Sequence, residues 1–286
     1  MYPEGDIQMF HDHNVNGSQG RRRRTEAGAP HQFMWRLLCD HLPRLPFWMQ
    51  QLNGVLSAGT VDLSRAVELI SYDAGFCAEF VRICRLAELP ATDDRLDSLI
   101  VLLGRERVRT VSVGAYLTSY LAAQQAPVLT EYYRRIDRLA SMAYRLALSS
   151  EEIDAQEAYV AGLVHHAGTL PLLHTIDPAS ELSSAWLEFS LESLTAQWLL
   201  FGTDTLELGQ AMALLWDYPA PLKQSLRVSL DAAEDVPNSL LACLVRAADQ
   251  LCAAGLPVPE TYLVTPPEVA AAQRPTKVLP FILSDR

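Results

Sequence analysis

Ala161–Leu173 reads AGLVHHAGTLPLL and contains the adjacent pair His165–His166, framed by Gly162 and Gly168. No formally charged residue lies between Glu157 and Asp177. A run of that kind belongs in the interior of a fold. Two neighbouring imidazoles among apolar residues are costly unless each finds a hydrogen-bond partner or a metal. One reading is a buried helix end with two satisfied histidines. The other is a working or relic metal site. The rest of the chain has to separate them.

The 286 residues are 49% hydrophobic and 20% charged, ample for a buried core in one large domain or two small ones. The net charge of −11 repels phosphate backbones, so nucleic-acid binding is disfavoured. The five cysteines, Cys39, Cys77, Cys84, Cys243 and Cys252, are odd in number and form no CxxC. Neither a zinc knuckle nor a disulfide framework is indicated, and reduced thiols in a cytoplasm fit best. The first twenty residues lack an apolar signal core, and no stretch reads as a membrane span.

Working outward, apolar residues recur at helical spacing and no segment alternates as a strand would. The fold class is therefore all-α, as two packed helical subdomains. Residues 1–30 are polar and read as a disordered arm, which holds His11–Asp12–His13 and Arg21–Arg24. Residues 31–126 form the first helical subdomain. Asp62 and Asp73 are placed as N-caps, and Asp97 or Ser98 opens a short helix that Gly104 stops. Pro127 marks the internal boundary, and 127–255 form the second subdomain. Its helices are expected over about Tyr132–Leu148, Ala155–His166, Ser184–Phe201, Thr205–Trp216, Leu222–Leu230 and Asn238–Cys252. The Pro-rich residues 256–286 read as a tail.

None of GxGxxG, GxxxxGK[ST], GxSxG or HExxH occurs. The order of landmarks nevertheless resembles the HDOD family, a noncatalytic bacterial relative of the HD phosphohydrolases. LPRLP (42–46), AVELISYDAGFCAEFVRICRLA (66–87) and SLIVLLGRERVRTV (98–111) resemble its opening helices. YYRRIDRLASMAYRLA (132–147), the His165–His166 segment, LLFGTDTLELGQAMALLWDYPAPLKQSL (199–226) and LLACLVRAADQL (240–251) follow in the family's order. The resemblance covers roughly residues 40–255 and implies an HD-like helical bundle. At the turn after the fourth helix, Arg85–Leu86–Ala87 stands where the family usually has Asn-Ser.

HD enzymes hold metals with an early histidine, a His–Asp pair, further histidines and a late aspartate. By that resemblance the early histidine falls near Arg135 and the His–Asp pair falls on His165–His166. A later histidine falls on Thr205, the next pair near Val228 and Ser229, and the aspartate on Asp249. His165, His166 and Asp249 are thus vestigial positions, while Arg135 and Thr205 replace ligands. The resemblance implies a catalytically silent chain with no metal or other cofactor. It would work by binding a signalling partner in trans. Arg105 and Arg109, one turn apart on a helix, are candidate partner contacts. The alternatives are an HD-type metal-dependent phosphohydrolase and a nucleotide or small-molecule receptor using the vestigial pocket.

Overall fold

The computed structural model describes residues 44–58, 61–87, 95–174, 194–201, 203–226 and 239–256. The expectations for the N-terminal arm, the C-terminal tail, the start of the Ser184–Phe201 helix and the Val228–Ser229 positions lie outside these residues. Every regular element among the described residues is a helix. In chain order these are α1 Phe47–Ser57, α2 Leu63–Ser71, α3 Ala74–Cys84, α4 Leu96–Ala122, α5 Pro127–Leu148 and α6 Ala155–Val164. They continue with α7 Thr169–His174, α8 Leu194–Phe201, α9 Thr205–Leu215, α10 Ala220–Ser225 and α11 Leu240–Ala253.

Aspartate side chains start four of these helices by accepting otherwise orphaned backbone N–H groups. Asp62 accepts from Arg65 N at 3.0 Å and Asp73 from Phe76 N at 2.7 Å. Asp154 accepts from Glu157 N at 2.8 Å, and Asp204 from both Leu206 N and Glu207 N at 3.0 Å. The first helical turn of α4 differs from expectation. Arg95 occupies the N-cap position, and Asp97 sits inside the first turn, held by Arg95 at 2.9 Å. Gly104, at φ 73° and ψ 165°, breaks α4 into two lengths, as a residue without a Cβ allows. Helix α5 begins five residues earlier than the apolar stripe indicates, because Pro127 takes the N1 position where its missing N–H costs nothing.

Helix α6 is the centre of the packing. It touches α4, α5, α10 and α11, and every residue from Ala158 to Val164 is buried. A helix surrounded in this way shows no polar face, which is why its sequence carries no amphipathic stripe. Close approach to α5 rests on Gly162: a Cβ there would lie 2.6 Å from Ala140 Cα. The helix ends at Val164, two residues before the expected His166, and residues 165–168 turn the chain into α7. Gly168 permits that turn, since a Cβ would lie 1.9 Å from the Thr205 carbonyl oxygen at the start of α9. Helix α10 likewise stops early, at Ser225, and Leu226 is extended at ψ 149°.

One apolar cluster draws residues from both sides of Pro127, from Leu45 through Ile83 and Leu117 to Val160, Trp216 and Val245. Trp216, fully buried, meets Tyr116 edge-on at 4.9 Å. Gln156 donates to Ile83 O at 2.9 Å, linking α6 to the end of α3.

Two glycine substitutions are expected to act in opposite directions. Gly168→Ala would drive its Cβ into the backbone of Thr205 and Gly209 and should lose about 3 kcal/mol or more of stability. Gly54→Ala, inside α1 with nothing within 4 Å of the new Cβ, should gain about 0.5–1 kcal/mol. Urea denaturation of the two variants measures both.

Candidate metal-type site at the His165–His166 turn

His165 follows the last residue of α6 and is 3% exposed. Its Nδ1–H donates to the Ser225 carbonyl at 2.7 Å. A carbonyl only accepts, so that bond assigns the hydrogen to Nδ1 and leaves the neutral ring's lone pair on Nε2. Nε2 lies 3.9 Å from Asp249 Oδ2. His166 Nε2 is 2.9 Å from the other carboxylate oxygen, Oδ1. The two rings stand 4.8 Å apart at 76°, and one ligand atom from each of His165, His166 and Asp249 lies within 4.8 Å of the others. The Asp249 side chain is 36% exposed, so the cluster opens to solvent on the α11 side.

Helix α5 fixes the turn from behind. Tyr132 OH donates to the His166 carbonyl at 3.0 Å, and full burial holds that phenol well above its ordinary range. Arg135, one turn further along α5, lies with its Nε 3.4 Å from Glu131 Oε1. Thr205 begins α9. Its N–H donates to Gln197 Oε1 at 2.9 Å, and its hydroxyl is buried without a hydrogen-bond partner. Its carbonyl crowds Gly168, so the expected ligand position does border the His165–His166 turn, through backbone.

The donor set bears on the metal question directly. Two imidazoles and one carboxylate suit a single divalent ion of the zinc or iron type, which takes nitrogen and oxygen ligands at about 2.0–2.2 Å. They do not suit a pair of ions, which needs further carboxylates to bridge and to balance charge. Among the described residues this is the one cluster of three or more histidine, cysteine or acidic groups with ligand spacing. His166, which the family resemblance puts at the position of a carboxylate, reaches Asp249 across the fold.

Arg105 and Arg109 share the expected face of α4. Arg105 reaches Ala58 O at 3.1 Å and Glu106 at 3.2 Å, and its side chain is 43% exposed. Arg109 is more enclosed and binds Asp217 at 2.9 Å, the residue in the tight turn after α9 that adopts a positive φ of 49°. Arg107 pairs with Asp154, the N-cap of α6, at 2.7 Å.

A second polar cluster joins α3, α5 and α6 and was not foreseen. Arg82 Nε pairs with Glu79 at 2.8 Å, and its Nη1 donates to Tyr159 OH at 3.1 Å. Tyr159 OH donates in turn to Asp137 at 2.8 Å. The legible signal was Glu79, an acid within the apolar stripe of Phe76, Phe80 and Ile83. Burial pushes the Asp137 carboxyl up to about 6; the Tyr159 hydrogen bond and Arg82 oppose that rise, and Glu79 adds to it.

A family model for the HDOD domain matches residues 42–231, more than half of the chain. The chain belongs to the HDOD family, whose helical fold is related to that of the HD-type phosphohydrolases. Solved structures agree on the fold. A provisionally named phosphohydrolase from Shewanella amazonensis SB2B matches with a TM-score of 0.54 and 22% identity, over 84% of this chain and 94% of that one. An HDOD domain protein of unknown function from Geobacter sulfurreducens matches at 0.53 and 19% identity, over 78% and 77%. A second Shewanella amazonensis SB2B protein, provisionally named a metal-dependent phosphohydrolase, matches at 0.53 and 17% identity, over 85% and 90%. No curated protein matches the chain.

The Asp137 carboxyl makes stability depend on pH. Its folded value stands above its ordinary 3.8. Its favourable contribution is therefore complete below about pH 4 and is lost as pH rises through about 6. Asp137→Asn should be more stable than the parent at pH 8 by about 1–3 kcal/mol, with the advantage vanishing near pH 4. Denaturation of both proteins across this range measures the difference.

Proposed function

We propose that the chain is a noncatalytic regulatory protein that acts in the bacterial cytoplasm by binding a signalling partner in trans. The observation that carries this reading is the donor set at Asp249: a single carboxylate with two imidazoles. Hydrolysis of phosphate esters by a two-ion centre needs one ion on the attacking oxygen and one on the leaving oxygen. Among the described residues, the cluster offers a second ion no carboxylate besides Asp249. By the family resemblance, Arg135 and Thr205 stand where further ligands belong, and neither is a ligand of choice for a divalent ion. Among the described residues, no helix is long and apolar enough to cross a membrane. Among the described residues, Cys77, Cys84 and Cys252 are free thiols.

The phosphohydrolase alternative draws on the solvent-facing side of Asp249, which would admit a substrate. Purified protein loaded with Mn²⁺, Fe²⁺ or Zn²⁺ should show no turnover of a generic phosphodiester above the metal-only rate. Turnover lost on His165→Ala would establish the enzyme instead.

For partner binding, the face carrying Arg105 and Arg109 is the candidate contact. Arg105 is the better probe, because Arg109 is already engaged by Asp217. Arg105→Glu should leave unfolding within about 0.5 kcal/mol of the parent, as exposed substitutions usually do. It should also weaken capture of a host protein by the immobilised chain in a salt-dependent way. Capture at parental strength would remove this face.

A further inference from the structure

We propose that Arg82, Tyr159 and Asp137 form a proton-operated latch, which fastens α3 in the first half of the chain to α5 and α6 in the second. This goes beyond the regulatory reading and does not depend on it.

Geometry carries the latch. Arg82 Nη1 donates to Tyr159 OH at 3.1 Å, and the same hydroxyl donates its one hydrogen to Asp137 Oδ1 at 2.8 Å. The guanidinium carbon also lies 5.6 Å from the centre of the Tyr159 ring. One phenol on α6 thus links a cation on α3 to a carboxyl on α5. The ion pair beside it is enclosed: the Arg82 side chain is 17% exposed and that of Glu79 is 11% exposed. Arg82 Nε is placed on Glu79, and Nη2 is buried with no hydrogen-bond partner. The phenol, and not the cation, is what meets Asp137.

Charge decides when the latch holds. With a proton on Asp137 the cluster is neutral, one guanidinium against the Glu79 carboxylate. Without that proton, two carboxylates share one guanidinium in a place shielded from water, and an enclosed net charge is costly. Burial is also the main cause that pushes the Asp137 carboxyl up from its ordinary 3.8 to about 6. A raised folded value ties the proton to the closed state. Closure is therefore complete in acid and is lost as pH rises through about 6. The groups that act on the carboxyl are Tyr159 from α6 and Arg82 and Glu79 from α3, with Tyr133 beside it on its own helix. Helices α4 and α11 also pack on α5 and, among the described residues, add no group to that set.

Release is local, because α3 rests on α4 along its length. Towards the second half, the end of α3 is held by neutral groups as well. Gln156 Nε2 donates to Ile83 O at 2.9 Å, and Tyr144 OH donates to Leu86 O at 3.2 Å. These bonds persist as a pivot while the Arg82 contact loosens.

The experiment is hydrogen exchange of the full chain, read by mass spectrometry at about pH 5 and about pH 7.5 and corrected for the pH dependence of unstructured amides. Between the two conditions α3 should speed up at least about threefold more than α9, which lies outside the cluster. Asp137→Asn should hold α3 at the parental acid rate in both conditions. Tyr159→Phe should leave α3 fast in both. Asp97→Asn, at a half-exposed carboxylate on α4, should keep the parental response. Imidazoles as a class change charge in the same range. Asp137→Asn leaves every one of them in place, so a response lost in that variant belongs to the carboxyl. Carbon-13 NMR of the parent's aspartate carboxyls checks the latch without substitution: one of them should titrate near pH 6. No pH response in α3, or a response shared equally by α3 and α9, would overturn the latch. So would a response that survives in Asp137→Asn or in Tyr159→Phe, or the lack of any aspartate carboxyl titrating near pH 6.

Discussion

Full burial of α6 is the constraint on which the structure depends. With α4, α5, α10 and α11 around it, the helix has no face on which to carry a charge, and Ala158–Val164 supplies none. It also has little room. Gly162 lets it approach Ala140 closely, and Gly168 lets the chain turn under the start of α9. The polar groups that follow α6 are therefore presented at one place only, where the chain leaves the core. That place is the His165–His166 turn.

Satisfaction of those groups explains the neighbouring segments. His165 uses the carbonyl of Ser225, where α10 ends, and His166 uses Asp249 on α11. Tyr132 on α5 binds the carbonyl between the turn and Ala167. Each imidazole thus has a partner, as burial requires. The same contacts aim both rings at one carboxylate. Hydrogen-bond satisfaction and ligand geometry coincide here, and residue types alone could not separate them.

A comparable economy holds at Arg82. Its guanidinium serves Glu79 on its own helix and Tyr159 on α6, and Tyr159 passes the connection to Asp137 on α5. The network crosses from the first half of the chain to the second, inside a single apolar cluster. Further out, Arg107 and Arg109 make the same crossing by pairing with Asp154 and Asp217. Cations near the kink of α4 thus bind carboxylates at an N-cap and a tight turn in the second half.

Local chemistry was legible from residue order. Asp62 and Asp73 announce helix starts, Gly104 announces a break, and the apolar spacing announces helices without strands, because each acts on backbone within four residues of itself. The uncharged run around His165 marked the interior for the same kind of reason: apolar surface avoids water wherever it lies. What the sequence could not settle depended on groups far apart in the chain. That His166 meets Asp249 was not legible, because they lie 83 positions apart in the chain. The Ser225 carbonyl, a feature every residue has, became specific only when α10 was laid beside α6. Nothing in residue order marks Asp137; its raised carboxyl follows from burial beside Tyr159 and Arg82, which packing brings from α6 and α3. Helix type and helix ends are set by short-range backbone hydrogen bonding. Which imidazole faces which carboxylate is set by packing between segments, and only the tertiary structure decides it.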